Sequence, residues 1–224
     1  MNCDRHPLAV AHGGLCPACL LEAALATPGR TGDPTGAFTI HLPLGDSRSA
    51  SVFLVRDEGP DGRLLRLKVW RSPAPLDFLA RFRELQQRLG DWRDARVSPP
   101  LAAYVDAAGC PSVLTEFRQG VPIMEAVRAG GLTPQQALAT LGPLVEVICT
   151  AHTRGLVHGS LVSGNVIAHP GTGEAHLLDF GLAAVASPVI HRPAAASDDR
   201  DGLAALVRAV RGCRRRAAVE PASL

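Results

Sequence analysis

The sequence lacks a membrane span, a secretion signal and a strong net charge, the features that most readily assign a chain to a class of protein. Its 224 residues contain no apolar run approaching the roughly 18 to 20 residues that cross a bilayer, so no membrane span is expected. The start, Met-Asn-Cys-Asp-Arg-His, has no apolar stretch typical of a secretion signal, and a cytoplasmic location is therefore expected. The net charge of only +2 gives no indication of a nucleic-acid partner.

The composition is that of a folded protein. Apolar residues make up 46% of the chain and charged residues 20%, which is enough for one good core or two small ones. Three of the six cysteines lie in the first twenty residues, and Cys110, Cys149 and Cys213 are scattered. In a chain with no export signal, we expect the scattered cysteines to be small core hydrophobes rather than disulfide partners.

The early cysteines belong to a pattern of metal ligands. Cys3 and His6 form one short pair, and Cys16 and Cys19 form another after nine residues. Such pairs suit tetrahedral zinc, and the spacing resembles a zinc ribbon in which His6 replaces one of four cysteines. The role would be structural, because four protein ligands leave no open position. Alternatively, Cys3 and His6 are incidental and only a loose, redox-active Cys-x-x-Cys motif is present.

A change of composition separates this segment from the rest of the chain. Residues 1–27 form the zinc-ribbon-like segment, and residues 28–37, rich in Gly, Pro and Thr, form a linker. After the linker, short apolar runs predict a five-stranded antiparallel sheet, with a turn at Pro60-Asp61-Gly62. The predicted strands are 38–40, 51–55, 63–70, 101–104 and 112–117, and one amphipathic helix is predicted at 79–89.

A long helix is predicted in the second half of the chain. Thr133 is a good N-cap, Pro134 suits the first helical position, and Gln136 stands at the capping-box position. Apolar residues then recur at helical spacing and predict the buried face: Leu138, Leu141, Val145, Ile148 and Cys149.

Two loops after this helix carry the chemistry. The first contains His158-Gly159-Ser160 and, five residues after Ser160, Asn165; the second is Asp179-Phe180-Gly181. Asn165 and Asp179 supply oxygen ligands of the kind that a hard divalent cation needs when it also holds phosphates. The pair resembles the catalytic loop and the magnesium loop of protein kinases, H-R-D-L-x-x-x-N and D-F-G.

The resemblance implies an α+β fold with two lobes. Residues 38–117 would be the N-lobe, formed by the five-stranded sheet and one helix. Residues 118–210 would be a mainly helical C-lobe that is truncated, and residues 211–224 a basic, flexible tail. The tail arginines are interpreted as a solvated helix end, with a binding patch as the alternative.

The resemblance also implies a site for ATP and Mg²⁺, with Asn165 and Asp179 as the metal ligands. Lys68 would contact the α- and β-phosphates and form an ion pair with Glu84. Alternatively, Lys68 is a strand-edge lysine and Glu84 lies on a solvated helix face. Gly45 and Val52 match the phosphate-binding loop of the family.

The adenine side of the implied site falls on the last predicted strand. Thr115 would be the residue that lines the pocket, and the backbone of Glu116 and Phe117, up to residue 118, would meet the adenine edge. In the second half of the chain, His158 would pack beneath Phe180. Asp199, or else Asp201, would cap the backbone of the catalytic loop.

Several positions depart from the family pattern. Ser160 replaces the catalytic Asp, and a neutral hydroxyl cannot act as a base unless another base activates it. Gly159 replaces the Arg that would read a phosphorylated activation segment, and Ser47 and Ala50 replace two glycines of the phosphate loop. The segment after Gly181 contains no A-P-E, and the last helices of the large lobe are missing from the chain.

Three hypotheses follow from these losses. The first is a pseudokinase that binds ATP and Mg²⁺ but is catalytically impaired, and that acts on a protein partner as a regulator or scaffold. The second is a weakly active serine/threonine kinase of the bacterial eukaryotic-like type, with a protein substrate. The third is a truncated fragment that needs a partner to fold, because a shortened lobe would expose apolar surface.

Overall fold

The structure is a computed structural model that describes residues 38–57, 59–60, 62–90, 92–106, 108–186 and 194–217. The predicted zinc-ribbon-like segment and linker lie outside the described residues. The chain divides into two compact units. Unit 1 holds the described residues up to Ala80 together with Pro100–Phe117, and unit 2 holds Arg81–Pro99 and the described residues from Arg118 onward. Within the described ranges, no helix is long and apolar enough to cross a membrane.

Unit 1 is built on the predicted antiparallel sheet. Its five strands stand in the order β1-β2-β3-β5-β4, which confirms the prediction of a five-stranded antiparallel sheet. The strands are β1 (Phe38–Asp46), β2 (Ala50–Asp57), β3 (Leu64–Trp70), β4 (Pro100–Val105) and β5 (Pro111–Glu116).

One face of the sheet carries the core of unit 1. Alternate residues of a strand point to the same face, so the apolar residues of β2 and β3 collect on one side. The buried cluster consists of Phe53, Val55, Leu65, Leu67 and Leu114.

Strand β1 is longer than predicted. The sequence predicts a strand over 38–40, and residues 44–52 stand where the family has its phosphate-binding loop, although by themselves they would form an ordinary hairpin. In the structure β1 continues to Asp46 and β2 begins at Ala50. Gly45 lies opposite Val52 in the register of the two strands. Pro43 and Gly45 disfavour a strand locally, but pairing with β2 overrides this preference. The connection is therefore the tight turn of a β-hairpin.

Unit 2 contains most of the helices. Helix α1 (Phe78–Gly90) lies mainly in this unit, followed by α2 (Ile123–Arg128), α3 (Pro134–Thr153), α4 (Leu182–Ala186) and α5 (Ala196–Ala217). Unit 2 also contains a small antiparallel sheet of three strands, β6 (Val121–Pro122), β7 (Val166–Ala168) and β8 (Ala175–Leu177). The loop with His158 and Asn165 precedes β7, and the loop with Asp179 follows β8. A short 3₁₀ turn at Ser163–Asn165 leads directly into β7.

Helix α3 begins as predicted and buries part of the predicted face, including Leu141 and Ile148. The Thr133 side chain accepts from Gln136 N, and the Gln136 side chain accepts from Thr133 N, which confirms the capping box. The prediction for Val145 and Cys149 was wrong, since both are exposed. The buried residues include small ones that apolar periodicity undervalues: Ala137, Thr140, Leu141, Leu144, Val147, Ile148 and Ala151.

Helix α5 packs on the catalytic loop and extends beyond its predicted end. Asp199, Leu206 and Val210 are buried along one side, whereas Arg208 and Arg211 are exposed. The helix continues to Ala217, into the segment predicted as a flexible tail. Gly202 lets the helix approach closely, because a Cβ built there would lie 2.6 Å from the carbonyl oxygen of Leu161.

Candidate functional site

Asp199 anchors the catalytic loop from the first turn of α5. Its buried carboxylate accepts from the backbone N–H of His158 at 2.9 Å and of Gly159 at 2.8 Å. His152 Nε2, on the last turn of α3, lies 2.9 Å from the same carboxylate. Asp199 is therefore the residue predicted to cap this loop, while Asp201 lies on the exposed side of the helix. Charge-assisted bonds to two backbone donors fix the shape of the loop.

An aromatic cluster joins the catalytic loop to the second loop. The His158 ring packs against Phe180 with 5.1 Å between centroids, which confirms the predicted contact. Trp92 also packs against Phe180 in an edge-on arrangement, with 5.4 Å between the ring centroids. Burial lowers the pKa of His158 despite the opposing attraction of the Asp199 and Asp179 carboxylates. A neutral imidazole in this position acts as packing rather than as a proton carrier.

Two backbone hydrogen bonds hold the loops to each other. Leu178 N donates to Asn165 O at 2.9 Å, and Gly181 N donates to His158 O at 3.1 Å. Between them, Asp179 has φ of +60°, the one positive value for a non-glycine residue in the described part of the chain. Asp tolerates this left-handed region better than most residues, and such strain often marks functional positions.

Asn165 and Asp179 present oxygen donors on adjacent backbone. Asn165 Nδ2 donates to Ser160 O at 2.9 Å, and this orients the amide so that its Oδ1 is the atom available to a ligand. Both residues are buried, Asp179 at 2% exposure and Asn165 at 7%. One carboxylate and one amide oxygen suit a hard divalent cation that keeps several waters or phosphate oxygens as its other ligands. These residues thus fit Mg²⁺ in chemistry.

Ser160 lies in this framework without a base. Its backbone carbonyl accepts from Val162 N and from Asn165 Nδ2, and its N–H donates to His158 Nδ1 at 3.3 Å. Its hydroxyl makes no hydrogen bond to any described residue. The nearby Asp199 carboxylate is occupied by the loop backbone, and the catalytic loop itself contains no acidic side chain. No hydrogen bond among the described residues joins the Ser160 hydroxyl to a base.

Gly159 suits the backbone that it occupies. Its φ is +78°, and a Cβ built there would lie 3.0 Å from Cβ of Ala194. An L-amino acid would be strained in this conformation. Glycine therefore fits this backbone conformation without strain.

The predicted site residues of unit 1 lie on β1, β2, β3 and β5. Lys68 stands opposite Val52 in the sheet, and its Nζ lies 4.9 Å from the centroid of the Trp70 ring, a cation–π contact. Thr115 is buried, and its hydroxyl has no hydrogen-bond partner in the described residues. Glu116 is exposed, and the division between the units falls after Phe117.

Several predicted groupings stay predictions. Lys68 belongs to unit 1 and Glu84 to unit 2, so the structure of either unit by itself does not test the predicted ion pair between them. The four predicted zinc ligands, Cys3, His6, Cys16 and Cys19, lie outside the described residues. In the part that the structure does describe, no cluster of three or more His, Cys, Asp or Glu could hold a metal ion.

Sequence reasoning missed three residues at the site. His152 could have been found as a histidine in the last turn of a long helix, six residues before His158. Trp92 gave no such signal, because its contact with Phe180 joins residues of different elements. Trp70 lies two residues after Lys68 on the same strand, and this spacing places both side chains on one face of the sheet.

Comparisons with known proteins agree with this geometry. No family model matches the chain. The sequence is 29% identical over 158 residues to the serine/threonine-protein kinase pkn2 of Myxococcus xanthus, covering 68% of this chain and 19% of that protein. It is 31% identical over 134 residues to the serine/threonine-protein kinase PknA of Mycobacterium tuberculosis, covering 54% of this chain and 30% of that protein. The chain thus spans less than a third of these relatives.

A solved structure gives the same fold. Rad53 1–466 in complex with AMP-PNP matches with a TM-score of 0.53 and 20% identity, covering 65% of this chain and 38% of that chain. At this identity the match shows a shared kinase-like fold.

Proposed function

We propose that this chain, whose sequence relatives and fold support the protein kinase superfamily, is a pseudokinase that binds a nucleotide with Mg²⁺ and transfers phosphate poorly or not at all. The observation that carries the proposal is the catalytic loop, which is held in place by Asp199 but has Ser160 where the family has its base. A catalytic loop that keeps its shape but lacks its base favours nucleotide binding over phosphate transfer.

The proposed ligands divide between the two units. On unit 2, Asn165 and Asp179 would hold Mg²⁺, which neutralises phosphate charge when it is bound. On unit 1, Lys68 would contact the phosphates, Thr115 would line the adenine pocket, and the backbone of Glu116 and Phe117 would meet the adenine edge. Glu84 would orient Lys68, as in the resemblance.

Impaired transfer follows from the chemistry of Ser160. General-base assistance typically contributes about 10²- to 10⁴-fold, while positioning and charge neutralisation supply most of the rest in phosphoryl transfer. A chain that keeps its metal ligands and lacks the base would therefore retain nucleotide affinity and lose rate. Its biological role would be contact with a protein partner, as a regulator or scaffold.

The proposed N-terminal zinc site is a separate part of this function. Cys3, His6, Cys16 and Cys19 would hold one structural Zn²⁺ and form a docking element. Metal analysis after dialysis should find one zinc per chain, lost in a Cys16→Ser/Cys19→Ser variant. Stoichiometric metal that survives both substitutions would contradict this assignment.

Ser160→Asp tests the proposed function most directly by restoring the base. Because the loop is already shaped by Asp199, we expect the variant to gain about 10²-fold in transfer of the ATP γ-phosphate to an unfolded acceptor protein rich in Ser and Thr. Ser160→Asn is the matched control, since it has similar size and no basic carboxylate. No gain with Asp would mean that the rest of the site is not intact.

A further inference from the structure

The β1–β2 turn lies where the family has its phosphate-binding loop, and it is closed by its own side chain. Ser47 N donates to Ala50 O at 2.9 Å, and Ser47 Oγ also donates to Ala50 O at 2.9 Å. Ala50 N in turn donates to Ser47 Oγ at 3.0 Å. Backbone N–H groups bind phosphate when they point to the ligand, but the Ser47 and Ala50 N–H groups are already used inside the turn, which leaves only those of Arg48 and Ser49 at its tip.

A second group of contacts fastens the turn to the end of β3. The Arg71 guanidinium forms an ion pair with Asp46 and donates to Ser51 Oγ at 2.9 Å. Ser51 Oγ donates to Asp46 Oδ1 at 2.7 Å, and Arg71 N donates to Ser49 O at 2.9 Å. The ion pair is partly exposed, 39% for Arg71 and 48% for Asp46, so by itself it contributes little. The combination of contacts is what holds the turn.

The backbone of this hairpin does not use the freedom of glycine. No residue from Leu44 to Val52 has a positive φ, and Gly45 sits in the strand with open space around a built Cβ. Ala50, at the position of a family glycine, is 3% exposed and paired with Trp70. An open, phosphate-cradling loop would require this buried methyl group and its pairing to move.

The charges near the turn also disfavour a phosphate. The Asp46 carboxylate would repel it, and Arg71, which could attract it, is paired with that carboxylate. The Lys68 ammonium lies over the Trp70 ring, so part of its attraction is already engaged. Arg48 is the remaining cation of the turn, at its exposed tip.

We propose that Asp46, Ser47, Ser51 and Arg71 form a clasp that keeps the turn closed and without phosphate contacts. The phosphates of a nucleotide would then gain no affinity from this turn, and in this chain they would be held by the divalent cation and by Lys68. This inference rests on the proposed nucleotide binding and specifies which part of the ligand each unit recognises.

Calorimetric titration of the full chain with adenosine and with ATP, in EDTA and in Mg²⁺, tests the ligand part. In EDTA, ATP should bind within about fivefold of adenosine, the share left to Lys68, and in Mg²⁺ it should bind more tightly. Asp46→Asn, which frees Arg71, should raise the affinity for ATP in EDTA by about fivefold and leave adenosine unchanged, an effect of the size expected for an exposed charge. Arg48→Ala is the matched control and should change neither ligand.

Two results of these titrations would contradict the proposal. Tenfold tighter binding of ATP than of adenosine in EDTA, weakened by Arg48→Ala, would show that the turn binds phosphate and would overturn the clasp. Failure of both ligands to bind in any buffer would overturn the proposed nucleotide binding, and the ligand part of this inference with it.

Amide hydrogen exchange of the ligand-free chain tests the clasp without any nucleotide. The amides of Ser47, Ala50 and Arg71 donate hydrogen bonds and should exchange slowly, whereas those of Arg48 and Ser49 should exchange fast. Arg71→Ala should speed exchange at Ser47 and Ala50. Fast exchange at all of these amides in the unaltered chain would overturn the clasp whatever the titrations show.

Discussion

The β1–β2 turn of unit 1 and the paired loops of unit 2 both depart from the kinase pattern, but the departures have different consequences. In unit 2, Gly159 and Ser160 change side chains on a loop whose shape comes from Asp199 and from backbone bonds. In unit 1, Ser47 supplies the bonds that close the turn. A buried framework can lose a chemical group and keep its shape, whereas an exposed turn takes its shape from the side chains present.

The largest effect is expected from removing the anchor of unit 2. Asp199→Ala leaves two backbone N–H groups without their acceptor at a largely buried site and should lower the free energy of unfolding by about 3 kcal/mol. Urea unfolding followed by Trp92 fluorescence, in a Trp70→Phe background, measures this in the unit concerned.

Asp201→Ala is the control on the exposed side of the same helix, with an expected change within about 0.5 kcal/mol. Equal losses from the two variants would mean that the framework does not depend on Asp199.

A smaller effect is expected at the contact of α5 with the catalytic loop. In Gly202→Ala, the new Cβ would lie 2.6 Å from Leu161 O, and we expect a loss of about 1 to 3 kcal/mol in urea unfolding. Gly212→Ala, in the same helix with nothing within 4 Å, should instead be neutral or gain up to about 1 kcal/mol. A stable Gly202→Ala protein would place α5 farther from the loop than described.

The dependence of stability on pH should also come from unit 2. Burial lowers the pKa of His158 and of His176, the latter also through Arg118, relative to the ordinary value of 6.5. The unfolded chain then binds more protons, so the stability from these neutral rings is complete above pH 6.5. It is lost as the pH falls through the lowered folded-state values, by at most about 1.4 kcal/mol per pH unit for each ring.

Unfolding free energies measured between pH 8 and pH 5.5 check this sign. His158→Phe should reduce the slope of the unfolding free energy against pH. At pH 8 the imidazole is neutral in both states, so the difference between the variant and the unaltered chain at that pH measures the cost of repacking alone. A stability that rises as the pH falls over this range would contradict the burial of neutral histidines.

Local signals explain what the sequence could predict. The Thr133 capping box, the alternation in β2 and β3 and the position of Asp199 depend on residues close in sequence or on ordered motifs. The two loops of unit 2 were predictable for the same reason, because each is a compact motif with few possible arrangements.

The rest depended on contacts between elements. Arg71 and Asp46 are 25 positions apart, and nothing near either residue indicates their pairing. The length of β1 depended on pairing with β2, against the local preference of Pro43. Periodicity predicted only part of the buried face of α3, because apolar residues also occur on its exposed side, as at Val145.

The central claim is that the metal-binding half of the site works without the proton-accepting half. Single-turnover incubation of the full chain, in excess over γ-labelled ATP with Mg²⁺, tests it by following the label on nucleotide, acceptor protein and the chain itself. We predict that the label stays on nucleotide bound to the chain, and that Asp179→Ala releases it. Transfer of the label to protein by the unaltered chain, abolished by Asp179→Ala, would contradict the account.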